Sequence, residues 1–169
     1  MLMVAGLGNA VSAQTSQAIN KISVGADVVL PTGDLSAISG VGFGGSVSGE
    51  LNVVKNLNLT ASAGYLNFSY KKVFRDYFKA AGVGNMAAIP VKGGAKYYFG
   101  QNFYGAAELG AAFSTGEGSE TAFIYAPTLG TSFSVSPKSS LDLGIRYESW
   151  SSDGTSSFLG LRAAFAFGL

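Results

Sequence analysis

The sequence contains no cysteine and no histidine among its 169 residues. The absence of cysteine excludes a disulfide framework and a thiolate metal site. The absence of histidine removes the most frequent general base and the most frequent metal ligand. Most hydrolase triads and zinc sites are thereby excluded, and we expect no metal, no cofactor and no enzymatic activity.

Charge is also scarce, since charged residues make up 12% of the chain, about half of the usual share in soluble domains. The net charge is only +1, so the composition gives no indication of a basic surface that would bind nucleic acid. No segment approaches the run of about 18 apolar residues that a transmembrane helix needs. The mean hydropathy is nevertheless positive, at +0.29. A soluble β-barrel or sandwich and a transmembrane β-barrel are the two classes that fit this composition.

Strict alternation organises the chain, most clearly in residues 140–150. One set of alternate positions is apolar: Leu141, Leu143, Ile145 and Tyr147. The intervening set is Asp142, Gly144, Arg146 and Glu148. A period of two predicts a strand with two unlike faces. Small residues mixed with charges of both signs are typical of a narrow, crowded interior, so the apolar face would point outward into lipid.

The same alternation predicts eight strands along the chain. Their ranges are roughly 21–30, 41–53, 57–68, 88–99, 102–114, 121–134, 140–150 and 158–169. Each is long enough to cross a bilayer when tilted, which takes about 9–11 residues. Connections after the second, fourth and sixth strands are tight, whereas the others are longer or more polar, as in up-and-down barrels. We predict an all-β fold, an eight-stranded antiparallel up-and-down transmembrane β-barrel over residues 21–169.

The first residues resemble the end of a secretory signal. Residues 1–13 are apolar and end in Val11-Ser12-Ala13, a small-residue cleavage pattern. We expect a signal-peptide remnant over residues 1–13 and a polar lead-in over residues 14–20.

Nine charged residues occupy inward positions of the predicted strands. They are Asp27, Glu50, Lys92, Lys96, Glu108, Asp142, Arg146, Glu148 and Arg162. The interior of an eight-stranded barrel is just wide enough for side chains to fill, so these charges should pair. The simplest interpretation is a structural salt-bridge plug, and the alternatives are a narrow path for ions or small solutes and a binding or catalytic site. Glu108 and Glu148 could serve acid–base chemistry, but no nucleophile accompanies them.

The connection predicted over residues 69–87 is the second candidate site. It carries Phe74, Arg75, Tyr77 and Phe78 among further basic residues. Loops on a rigid scaffold commonly carry function, so these residues could bind an extracellular partner. The alternative is that the aromatic side chains pack on the barrel rim.

Three segments carry a resemblance to a known family. They are Ile89-Pro-Val91 with Lys96-Tyr-Tyr-Phe99, Tyr125-Ala-Pro-Thr-Leu-Gly130, and the aromatic-ended run from Gly160 to Phe167. The pattern resembles eight-stranded outer-membrane barrels of the OmpA and OmpX kind, most of all the outer membrane β-barrel domain common in Bacteroidetes. The chain departs from the usual pattern by ending in Gly168-Leu169 after its last aromatic residue.

The resemblance implies an integral protein of a bacterial outer membrane. Its implied partners are outer-membrane lipid and, during biogenesis, the outer-membrane assembly machinery. Acyltransferases and deacylases of such families use a catalytic histidine, which this chain lacks. We therefore expect a non-enzymatic barrel with a structural or surface-interaction role. A narrow passive pore is the alternative, and a soluble lipocalin-like ligand-binding barrel is the less favoured one.

Overall fold

The computed structural model describes residues 20–82, 86–115 and 120–169. The predicted signal-peptide remnant, and the lead-in up to residue 19, lie outside these residues. Eight strands make up most of the described chain. They are β1 (Lys21–Thr32), β2 (Ser39–Val54), β3 (Leu57–Tyr70), β4 (Met86–Phe99), β5 (Phe103–Thr115), β6 (Thr121–Ser136), β7 (Ser139–Ser151) and β8 (Thr155–Gly168).

The strands form one closed antiparallel barrel in sequence order. Each strand pairs with its neighbours in the sequence, and β1 pairs with β8 to close the ring. In that closing seam Lys21 faces Gly168 and Thr32 faces Ser157. Closure leaves no sheet edge unpaired, as a barrel that crosses a membrane requires. The predicted fold class is confirmed.

The apolar side chains point outward all around the barrel. Leu129 is 65% exposed and Phe103 is 60% exposed, although both lie within strands. Contiguous exposed apolar surface of this extent is typical of a protein that contacts lipid. A soluble ligand-binding barrel requires the opposite arrangement, with Leu143 and Ile145 inside, and the structure places both side chains outside.

The two ends of the barrel differ in their connections. Short turns at residues 55–56, 100–102 and 137–138 share one end with the first and last described residues, where the Leu169 amide donates to the Asn20 carbonyl at 2.8 Å. Asn56 and Gly100 adopt positive φ angles of 68° and 77° in two of these turns, which asparagine and glycine tolerate best. We call this end the short-turn end and the opposite end the loop end.

The loop end carries two helices, α1 (Leu35–Ile38) and α2 (Lys72–Ala80). The long connection predicted over about residues 69–87 is slightly shorter in the structure, because β3 continues to Tyr70 and β4 begins at Met86. It contains α2, which the sequence analysis did not predict. The connection at residues 152–154 is as short as the turns at the other end. No helix among the described residues is long and apolar enough to cross a membrane.

Candidate functional site: the lumen and the loop end

Lys96 is the centre of the lumen near the short-turn end. Its Nζ lies 2.6 Å from Oε1 of Glu50 and 2.9 Å from Oδ2 of Asp142. The ammonium group also lies 3.9 Å from the ring centroid of Tyr104. All four side chains are buried. The ring centroid of Tyr98 lies 5.1 Å away as well. This cation therefore has two carboxylate partners and two cation–π partners in a buried site.

Neutral donors satisfy the remaining oxygens of the two carboxylates. Oε2 of Glu50 accepts hydrogen bonds at 2.9 and 3.1 Å, and Oδ1 of Asp142 accepts hydrogen bonds at 2.5 and 3.3 Å. The donors are Asn58, Tyr98, Ser132 and Ser140. A buried carboxylate is tolerable only when its lone pairs are occupied in this way.

Lys21 is a tenth lumenal charge that the sequence analysis missed. It is 3% exposed, and its Nζ donates to the Tyr98 hydroxyl at 3.4 Å. Lys21 has the same parity in β1 as Asp27, so alternation could have found it. It went unnoticed because it is the first residue of its strand.

Glu148 is the centre of the second ionic group, nearer the loop end. Its Oε2 lies 2.9 Å from Lys92 Nζ and 2.7 Å from Arg146 Nε, and its Oε1 accepts from the Trp150 indole at 2.6 Å. The Arg146 Nε–H makes no hydrogen bond with proper geometry, so that contact is an ion pair only. Arg146 also reaches Oδ1 of Asp27 at 3.3 Å.

Glu108 and Arg162 differ from the other predicted lumenal charges. Among the described residues, neither has an oppositely charged atom within 4.0 Å. Oε1 of Glu108 accepts hydrogen bonds at 3.2 and 3.1 Å, and Arg162 donates at 2.9, 3.2 and 3.5 Å. Their partners are the hydroxyls of Thr60 and Ser62 for Glu108, and of Ser46, Ser23 and Ser48 for Arg162.

Both residues line a polar cavity of about 70 Å³ in the middle of the lumen. We call this cavity the chamber. Its wall also includes the paired charges Asp27, Lys92 and Arg146. A volume of this size has room for a few water molecules.

The charges of the lumen balance. The group near the short-turn end holds two acids, Glu50 and Asp142, and two bases, Lys21 and Lys96. The remaining charges, nearer the loop end, are three acids, Asp27, Glu108 and Glu148, and three bases, Lys92, Arg146 and Arg162. Each group is neutral, and this neutrality limits the cost of burying so many charges.

An apolar cap closes the lumen on the loop-end side of Glu148. The cap is the buried cluster of Val29, Leu66, Phe68, Ala88, Ala112, Ile124, Ala126, Trp150 and Phe158. The rings of Phe68 and Phe158 lie 5.2 Å apart, and Trp150 lies 5.1 Å from Phe158. The sequence analysis missed the cap because it followed only the charged inward positions, although Phe68 and Trp150 continue the inward parity of β3 and β7.

Inward glycines make room for the large lumenal side chains. A Cβ atom at Gly130 would overlap the ring of Tyr104, and one at Gly144 would lie 2.9 Å from the Tyr104 hydroxyl. Tyr104 therefore lies across two neighbouring strands that have no side chain at these positions. The ring in turn covers Lys96.

The predicted interaction residues Phe74, Arg75, Tyr77 and Phe78 all belong to α2. The side chain of Tyr77 is 75% exposed. The basic side chains of Lys71, Lys72 and Lys79 are exposed beside it. The structure thus places an aromatic and basic helix at the loop end.

The chemistry of the lumen is that of charge pairing. Within the described part of the chain, no three acidic side chains are placed to hold a metal ion. The hydroxyls that surround Glu108 and Arg162 act as hydrogen-bond donors and acceptors, and no imidazole or thiol exists to activate them.

The sequence matches no family model and no curated protein. The fold, in contrast, is similar to those of solved bacterial surface proteins. Neisserial surface protein A aligns with a TM-score of 0.70 and 16% identity over 89% of this chain and 97% of that one. The attachment invasion locus protein Ail of Yersinia pestis aligns with a TM-score of 0.57 and 14% identity over 89% and 99%. The outer membrane protein OprG from Pseudomonas aeruginosa gives 0.55 and 11% over 92% and 99%.

Identities this low establish the fold alone. Each of these alignments covers nearly the whole of the other chain, so the similarity extends over the complete barrel. The chain therefore has the fold of eight-stranded outer-membrane barrels.

Proposed function

We propose that the chain is a non-enzymatic integral barrel of a bacterial outer membrane, with a structural or surface-interaction role at its loop end. The observation that carries the proposal is the filled lumen. Two neutral ionic groups and an apolar cap occupy the interior from Lys21 to Trp150. A barrel that is filled in this way acts through its outer wall and its loops.

The proposed location rests on the lipid-facing wall and on the similar folds. Exposed apolar side chains surround the barrel, and outer-membrane barrels present such a band to lipid. Lipid is therefore the first proposed partner. The assembly machinery is a second one, because the last strand ends with Phe165 and Phe167 exposed on its outer face.

The proposed surface role centres on α2. Exposed lysines and the exposed Tyr77 give this helix the composition of a binding surface for an anionic extracellular partner. Ail of Yersinia pestis, which has the same fold, has been solved in complex with the heparin analogue sucrose octasulfate. We propose Phe74, Arg75, Tyr77 and Phe78 as the contact residues of this chain.

A narrow passive pore is the second candidate, and the chamber is the observation that favours it. The chamber shows that the lumen is not packed solid between the cap and Lys96. Conduction would require both ends to open, because the cap and the Lys96 group close the lumen on either side.

Conductance in a planar bilayer tests the proposal. We expect the refolded full chain to shift on an unboiled gel relative to a boiled sample, and to show no discrete conductance steps. The Phe68→Ala variant removes a ring from the cap and leaves the ionic groups in place. It should therefore also show no discrete conductance steps, because the ionic groups still fill the lumen. Discrete steps from the unmodified folded barrel would refute the closed lumen and favour the pore.

A further inference from the structure

Glu108 and Arg162 converge on one wall of the chamber from opposite sides. Glu108 projects from β5 to the hydroxyl of Ser62 on β3, and Arg162 projects from β8 to the hydroxyl of Ser48 on β2. Ser48 and Ser62 face each other directly across the β2–β3 ladder. Facing side chains on neighbouring strands have Cβ atoms about 5 Å apart. A carboxylate and a guanidinium group therefore reach the two members of one facing serine pair beside the same cavity.

Neither group is paired with an opposite charge in the described residues. Glu108 is 9% exposed and, among those residues, only its Oε1 accepts hydrogen bonds. The guanidinium of Arg162 donates to hydroxyls alone. A buried carboxylate without a counter-charge is costly, and the half-buried Arg162 has no counter-charge among these residues either. Both groups could therefore take an ionic partner.

The charge balance restricts what such a partner can be. The described lumen is neutral as a whole, since it holds five acids and five bases. A metal cation or an inorganic anion would leave a net charge inside the barrel, at a high desolvation cost. A neutral molecule with one positive and one negative end would satisfy both groups and keep the balance.

We propose that the chamber is a binding site for a small zwitterion, an α-amino acid of the size of glycine. Its carboxylate pairs with Arg162, and its ammonium group pairs with Glu108. The cavity of about 70 Å³ limits the side chain to a hydrogen atom or a methyl group. The serine and threonine hydroxyls of the wall complete the hydrogen bonds. This inference goes beyond the surface role and requires only the barrel fold.

Equilibrium dialysis of the refolded full chain against radiolabelled glycine tests the inference. The barrel should be refolded both with and without glycine, so that a slow passage through the cap does not hide binding. We expect saturable uptake of a single glycine per barrel. Acetate and methylammonium, which each carry half of the charge pair, should not compete at the same concentration. This competition requires no variant and therefore does not depend on the folding of one.

Arg162→Met and Glu108→Gln identify the two contacts. Each should weaken glycine binding by about tenfold or more, since a charge-assisted hydrogen bond contributes at least that factor. Asp34→Asn, at an exposed carboxylate of the loop end, is the matched control and should bind as the unmodified chain does. Absence of saturable uptake, or binding by both lumenal variants as tight as that of the unmodified chain, would overturn the inference and leave a chamber that holds water only. Glycine uptake and bilayer conductance are measured separately. The result of the glycine experiment therefore does not decide the proposed function, and the conductance result does not decide the glycine site.

Discussion

Replacement of Lys96 by methionine should destabilise the barrel strongly. Lys96 is the cation between Glu50 and Asp142, and the three side chains are only 6%, 4% and 2% exposed. Methionine keeps most of the apolar stem but removes the ammonium group. The group near the short-turn end would change from neutral to a net charge of −1, with Lys21 as its remaining base. Breaking a buried pair by removing one partner costs about 3–5 kcal/mol.

Urea titration of the folded barrel in lipid vesicles measures this loss. Trp150 is the single tryptophan of the chain and is buried in the cap, so its fluorescence reports on unfolding. Lys138→Met, at an exposed turn position, is the matched control and should change the free energy of unfolding by less than about 0.5 kcal/mol. The double variant K96M/D142N should recover part of the loss, because the group is neutral again with Lys21 and Glu50 as its remaining charges. A Lys96→Met barrel as stable as the control would refute the proposed role of this ionic group.

Two further predictions concern the strand glycines and α2. Gly94→Ala should prevent the native barrel from forming, because the new Cβ would overlap the Ala107 carbonyl oxygen and lie 2.7 Å from the Cα of Glu108. A Cβ atom at Gly49 meets no atom within 4 Å. Gly49→Ala should therefore be neutral or stabilise the barrel by up to about 1 kcal/mol. Equal gel mobility and equal stability of the Gly94→Ala and Gly49→Ala barrels would contradict the reasoning. The triple change of Lys71, Lys72 and Lys79 to glutamine should lower the salt concentration that elutes the folded barrel from a heparin column. Lys138→Gln at the opposite end should elute with the unmodified chain, and identical elution of all three proteins would exclude α2 as the anion-binding surface.

Alternation was sufficient to predict the fold, because the two faces of a strand depend only on local parity. Leu143 and Arg146 lie on opposite faces in any barrel that contains this strand. The same rule could have assigned Lys21 and Phe68 to the interior, since both keep the inward parity of their strands. These omissions came from incomplete use of the pattern.

The partners within the lumen required the structure. Lys96 is 46 residues away from both Glu50 and Asp142 in the sequence, and nothing local indicates which acid it meets. That choice depends on the stagger of the strands around the ring, which alternation does not report. The contacts of Glu108 and Arg162 depend on the same stagger, because it brings Ser48, a partner of Arg162, opposite Ser62, a partner of Glu108.

The seam between β1 and β8 has a consequence for how the chain is made. It contains twelve facing pairs, from Lys21–Gly168 to Thr32–Ser157. One edge of β1 therefore has no partner until β8 has been synthesised. A partly synthesised chain would carry two open edges and a wide apolar surface, a combination that promotes aggregation. Pairing between residues so distant in the sequence is also slow. The ring can therefore close only after β8 has been synthesised, and the earlier strands must avoid aggregation until then.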